Sequence, residues 1–123
     1  MILEGHFYTV VRPVIEGAAI QAIIKINPDH AIFRGHFPGQ PVVPGVCMMQ
    51  IVKELLEKST GKSIRLHNGH DLKFLSVIDP GKNNLVNVEA NYTVHPAGGI
   101  YVTARLFYHE ITFFKFKGVF IES

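Results

Sequence analysis

Residues 30–58 read HAIFRGHFPGQPVVPGVCMMQIVKELLEK. In the first half, Pro38, Pro41 and Pro44 fix φ at three positions, while Gly35, Gly39 and Gly45 admit conformations that other residues resist. In the second half, Met48, Ile51, Val52, Leu55 and Leu56 recur at i, i+3, i+4, i+7 and i+8, the stripe of a helix with one buried face. A helix is therefore expected over 46–58, ended in STGKS with Gly61 as its breaker. The stiff loop feeds directly into the helix start, where backbone N–H groups around Pro44 and Gly45 have no intrahelical acceptor. Those donors and the positive end of the helix dipole suit a carbonyl oxygen that is gaining negative charge. A histidine held beside them, His36, is equipped to remove a proton from carbon next to that carbonyl. On spacing alone, a plain Pro/Gly-rich loop remains the stronger reading.

On either side the chain reads as strands. FYTVVR (7–12) and AAIQAIIKI (18–26) are expected to be two strands separated by a PVIEG turn. After the helix, DLKFLSVID (71–79) reads as a strand ended by Pro80-Gly81. Val86, Val88, Ala90, Tyr92 and Val94 then alternate with polar residues. HPAGG (95–99) supplies a turn, and Ile100, Val102, Ala104, Leu106 and Tyr108 share the next apolar face. ITFFKFKGVFIE (111–122) is a last strand or a continuation of that one. One helix and one long, largely antiparallel sheet predict a two-layer α+β domain whose sheet curls over the helix.

Composition agrees with this outline. The 123 residues are 47% hydrophobic and 18% charged, enough to bury one core and too apolar for disorder. Nine Phe, four Tyr and no Trp favour a sheet. A net charge of +2 falls short of a nucleic-acid-binding stripe, and no apolar run approaches the roughly 20 residues of a membrane span. MILEGHFYTV lacks the marks of a secretory leader, and the one cysteine cannot form an internal disulfide, so a cytoplasmic home is expected.

GHFPGQPVVPGV, residues 35–46, resembles the signature of the FabA/FabZ family, the 3-hydroxyacyl-acyl carrier protein dehydratases of hotdog fold. HAIFRGHF resembles the segment leading into that signature, and KFLSVIDPG (73–81) its later Phe-x-x-x-Val-x-Pro-Gly element. The resemblance implies one hotdog domain over 1–123, a long central helix wrapped by a curved antiparallel sheet. It also implies dehydration of a (3R)-3-hydroxyacyl group, carried on acyl carrier protein as a phosphopantetheine thioester, to the trans-2-enoyl product. No cofactor or metal is called for. The expected assembly is a homodimer or an oligomer of dimers, with a heterodimer as the alternative.

Carried over position by position, His36 is the expected base, and the N–H of Gly45, with that of Val46, polarises the thioester carbonyl. Phe37, Pro38, Val46 and Glu54 are expected to border the substrate. The family's Glu or Asp lies five residues after that glycine, usually acts from the other subunit and helps the hydroxyl leave. Here that position is Gln50. Glutamine can hydrogen-bond a hydroxyl but cannot donate a proton as an acid does. The family's usual order, Glu first and Gln four residues later, is exchanged here in QIVKE (50–54). Glu54 is therefore a candidate to act from one turn further on, although a solvated face shared with Lys53, Glu57 and Lys58 is the stronger reading.

Other features weigh less. His67, His70 and Asp71 in HNGHD have metal-ligand chemistry, but a polar turn outweighs it. Cys47 reads as a small core residue, His30 as a loop residue, and Met48 and Met49 as core or acyl-tunnel lining. Arg34, Lys53, Lys58, Lys62 and Arg65 are a weak candidate rim for an acidic carrier protein. Besides dehydration, two readings stay open: a hotdog thioesterase, and a non-catalytic binder or half-site subunit that tolerates Gln50.

Overall fold

The computed structural model describes residues 2–35 and 41–123. Its elements in chain order are β1 (Tyr8–Glu16), β2 (Ala19–Ile26), the short α1 (Ile32–Gly35), α2 (Gly45–Thr60), β3 (Ile64–Phe74), β4 (Leu85–Val94), β5 (Ile100–Tyr108) and β6 (Ile111–Glu122). The six strands form one antiparallel sheet in the order β1-β2-β4-β5-β6-β3.

The expected helical stripe is the buried face of α2: Met48, Ile51, Val52, Leu55 and Leu56 are all buried, joined by Cys47. The helix begins one residue earlier and ends two later than its apolar period implies. Gly61 caps it in the left-handed region at φ 70°, its N–H donating to the Glu57 carbonyl. That stripe packs against alternate residues of the sheet, among them Ile24, Val86, Val88, Ala104, Leu106, Phe114 and Phe116. The alternation expected in 86–94 and 100–108 is present, except that Val94 is exposed at the strand end.

Three expectations need correction. PVIEG is not a turn: β1 runs through Pro13 to Glu16, and the hairpin loop is Gly17-Ala18. Pro13 is tolerated because β1 is an edge strand, where a missing N–H interrupts no second ladder. HNGHD is not a turn either, and the strand expected at 71–79 starts and stops earlier. All five residues of HNGHD lie within β3, which ends at Phe74. Two register shifts, at Leu66/Asn68 and Gly69/Asp71, absorb the polar segment as bulges. Opposite Gly69 stands Gly118, where an added Cβ would come within 2.5 Å of the Asn68 carbonyl oxygen, so the bulged strand can approach only a glycine. Of the two readings of 111–122, the separate last strand is the one present, reached through a tight turn in which His109 takes φ 51°.

Candidate functional site

The N-terminus of α2 positions the candidate site. Pro44 is its N-cap, with extended φ and ψ and no side-chain capping bond. The N–H groups of Cys47 and Met48 turn back to the Pro44 carbonyl at 3.0 and 3.3 Å. Helix geometry leaves the preceding N–H groups, those of Gly45 and Val46, directed out of the helix start. Val43 anchors the approach by donating its N–H to the Ile78 carbonyl at 3.0 Å. Gly45 is a glycine for a visible reason. The Phe74 ring lies over it so closely that an added Cβ would sit 2.8 and 2.9 Å from ring carbons. Phe74 in turn stacks on Phe114, ring centres 4.9 Å apart, at one end of a row of rings continuing through Phe116 to Phe120. Val46 stands exposed beside this point. His36, Phe37 and Pro38 lie outside the described residues.

Gln50 is half-buried, one turn before Glu54, and its Nε2 donates to Glu54 Oε2 at 2.9 Å. Glu54 is not on a solvated face, as its neighbours Lys53, Glu57 and Lys58 imply; it is 8% exposed. Its carboxylate ties the N-terminal segment to α2. Oε2 also accepts the Leu3 N–H at 2.8 Å, while Oε1 accepts the Glu4 N–H and the Tyr8 hydroxyl, each at 2.9 Å. Four donors meet one carboxylate, which compensates its removal from water. Lys58 reinforces the same link through an ion pair with Glu4 at 2.6 Å.

Nothing in the sequence pointed to Leu3, Glu4 or Tyr8 as partners of this pair. Tyr8 is fully buried, and its hydroxyl is pushed well above its ordinary value, first by burial and then by the Glu54 charge and hydrogen bond. Burial likewise raises the Cys47 thiol. A group whose pKa is raised by folding contributes stability that is complete below its ordinary pKa and is lost as pH rises above it. Those ordinary values are 9.0 for Cys47 and 10.0 for Tyr8, so stability should fall in the alkaline range. Urea midpoints measured from pH 7 to 11 should decline above about pH 9. Tyr8→Phe should flatten the decline above about pH 10, while lowering stability at pH 7 by about 1–2 kcal/mol for the lost charge-assisted bond.

The remaining candidates have structural roles. The His30 ring accepts the Ile32 N–H at Nδ1 and meets Phe7 edge-on. Among the described residues no three His, Cys, Asp or Glu side chains gather as a metal site, and His67, His70 and Asp71 are spread along β3. Met48 belongs to the core and Met49 packs partly against it. An open cavity of about 420 Å³, lined by Val42, Val77, Ile78, Tyr108, Ile111 and Phe113 among others, adjoins the approach to α2. A larger opening of about 510 Å³ lies at the other end of the helix, beside Lys62, His95 and Tyr101.

Comparison with known proteins agrees with this architecture. A family model described as ApeI-like, ApeI dehydratase, matches residues 12–98. The 3-hydroxyacyl-[acyl-carrier-protein] dehydratase FabZ of Nitratidesulfovibrio vulgaris is 28% identical over 108 residues, covering 85% of this chain and 63% of that one. FabZ of Clostridium acetobutylicum is 34% identical over 81 residues, covering 60% and 57%. The chain thus spans less than two thirds of the length of these relatives. Among solved structures, a chain of the dehydratase heterocomplex ApeI:P from Xenorhabdus doucetiae superposes with a TM-score of 0.74 at 18% identity, covering 92% of this chain and 96% of that one. The uncharacterized protein PH1136 from Pyrococcus horikoshii gives 0.67 at 10% identity, covering 91% and 82%. At such identities the likeness is one of fold, here a hotdog. With 87 matched residues of 123 in the family model and the FabZ relatives beside it, the chain belongs to the ApeI-like dehydratases, within the FabA/FabZ-like hotdog proteins.

Proposed function

We propose that residues 1–123 are one hotdog domain that dehydrates a (3R)-3-hydroxyacyl thioester of acyl carrier protein to the trans-2-enoyl thioester. The observation that carries this reading is the start of α2. Its N-terminus has no side-chain cap, and Gly45 and Val46 direct N–H groups outward where PVVPG, residues 41–45, enters the helix. In the proposed reaction the thioester oxygen sits on those N–H groups, which take up charge as the α C–H bond weakens. His36 removes the α proton, the C–H electrons form the double bond, and the β C–O bond breaks. The leaving hydroxyl takes its proton back from the His36 imidazolium and departs as water. Gln50 has no acidic proton to give, and both oxygens of Glu54 already accept. The acyl chain would run along the apolar cavity beside Val42 and Phe113. Phe37 and Pro38 are proposed as further substrate contacts. A reducing cytoplasm suits the lone, buried Cys47.

The assembly we propose is a homodimer joined along β3. This strand is a sheet edge, and Leu66, Leu72 and Phe74 on it, with Leu75 and Val77 beyond, are exposed apolar residues. Of the five cations in the candidate carrier-protein rim, Lys58 and Lys62 are ion-paired within the chain to Glu4 and Glu122, which leaves Arg34, Lys53 and Arg65 as the better contacts.

One other reading has an observation behind it. Gln50 stands at the family's acid position, and the Xenorhabdus doucetiae chain of similar fold was solved within the dehydratase heterocomplex ApeI:P. A half-site subunit would then draw its acid from a different partner. Incubating the purified chain with a (3R)-hydroxyacyl-carrier protein and identifying the product by mass spectrometry separates the readings. Loss of one water supports the dehydratase, and release of the free acid makes it a thioesterase. An unchanged substrate supports the half-site subunit.

A further inference from the structure

The sheet has two faces, and α2 covers one of them. Val102, Ala104, Leu106, Phe114 and Phe116 turn inward to the core. The residues alternating with them on β5 and β6, namely Tyr101, Thr103, Arg105, Lys115 and Lys117, lie on the outer face. Register sets them beside residues of β4 and β3. In one row Glu89 stands opposite Arg105, Arg105 opposite Lys115, and Lys115 opposite Lys73. In the next row Asn91 stands opposite Thr103, Thr103 opposite Lys117, and Lys117 opposite Asp71.

Three cations on three adjacent strands cost the sheet stability, because like charges directly opposite each other repel. The two acids relieve only the ends of the row. Glu89 meets Arg105 at 3.3 Å, and Asp71 meets Lys73 at 3.7 Å. Lys115 and Lys117 make no ion pair or hydrogen bond among the described residues.

Open cavities follow the same face. One of about 250 Å³, beside Arg105 and Lys115, shares Asn91, Thr103 and Lys117 with one of about 340 Å³ that reaches His70. Tyr101 joins the second of these to the 510 Å³ opening beside His95. Tyr101 is 47% exposed, and its ring stands 4.1 Å from that of His95, centre to centre. An exposed aromatic ring braced by a second one suits the stacking of a flat base. Tyr101, Thr103 and Arg105 follow one another at about 7 Å along β5, so a base and two anionic groups fall in one line.

We propose that this outer face binds a nucleoside diphosphate. The base stacks on Tyr101, one phosphate lies on Lys117 and Thr103, and the other lies on Lys115 and Arg105. The phosphates supply the counter-charge that the row of cations lacks. The site lies on the face opposite α2 and is independent of the dehydratase reading.

Calorimetric titration of the full chain with ADP tests the proposal, against pyrophosphate, adenosine and a single-stranded oligoribonucleotide at about 0.1 M salt. ADP should bind saturably, at least about tenfold more tightly than pyrophosphate or adenosine alone. Lys115→Ala and Lys117→Ala should each weaken ADP about tenfold. Tyr101→Ala should weaken ADP about fivefold or more and leave pyrophosphate unchanged. Lys25→Ala, at an exposed position on the outer face of β2, should change neither. Lys115→Ala also relieves the repulsion, so its urea midpoint without ligand should be no lower than that of the unaltered chain.

No saturable binding of ADP, pyrophosphate binding as tightly as ADP, or an equal loss in Lys25→Ala would overturn the site. An oligoribonucleotide bound more than about tenfold more tightly than ADP would make the face a nucleic-acid surface and overturn it too. A lowered midpoint in Lys115→Ala would give that lysine a structural role and overturn the unrelieved row.

Discussion

Replacing Glu54 by alanine is expected to lower the unfolding free energy by about 3–5 kcal/mol, because it strands buried donors. The Leu3 N–H and Tyr8 hydroxyl bonds are buried and lose their acceptor outright, whereas the Glu4 N–H and the Gln50 amide can turn to water. The cost spreads beyond polar groups. Leu3 is 4% exposed and Tyr8 fully buried, so releasing the N-terminal segment also uncovers apolar surface that closes the core. Domains of this size unfold with about 5–15 kcal/mol, which places the variant near the limit of folding. The neighbouring ion pair provides the contrast. Lys58 and Glu4 are 44% and 34% exposed at their side chains, and Lys58→Ala should cost no more than about 1 kcal/mol. Urea unfolding of both variants checks the difference. A Glu54→Ala midpoint close to that of Lys58→Ala would mean that the carboxylate does not hold the segment.

The helix and the central strands were legible because they obey simple periods. Met48 to Leu56 keep one helical face, and Val86 to Ala90 and Ile100 to Leu106 alternate without interruption. Misreadings arose where a local breaker was overruled by its place in the sheet. Pro13 looked like a turn residue, yet an edge strand tolerates it. HNGHD looked like a loop, yet bulges facing Gly118 let β3 carry it.

At the site, the exchange of Gln50 and Glu54 was visible from the family's spacing, but the depth at which Glu54 lies was not. Three charged residues around Glu54 suggested water, while its real partners stand 46 to 51 residues away in the chain. No period or motif signals a contact of that kind; it exists only once the sheet has brought the N-terminus back across α2. Phe74 over Gly45 belongs to the same class. The glycine is part of a recognisable motif, whereas the ring that requires it arrives from β3.

The second large effect concerns His36, the proposed base. If the α proton passes to this imidazole and returns from it to the leaving hydroxyl, then His36→Ala removes both proton transfers at once. Each such transfer contributes about 100- to 10,000-fold, so the variant should retain no more than about one part in 100 of the rate.

The most direct test is a single-turnover experiment. Excess purified protein, with no second subunit added, is mixed with a (3R)-hydroxyacyl-carrier protein, and enoyl thioester is followed against time. The site described here predicts a first-order rise with the unaltered chain that slows at least about 100-fold in folded His36→Ala. Equal rates in the two proteins, or no enoyl thioester from either, would contradict it.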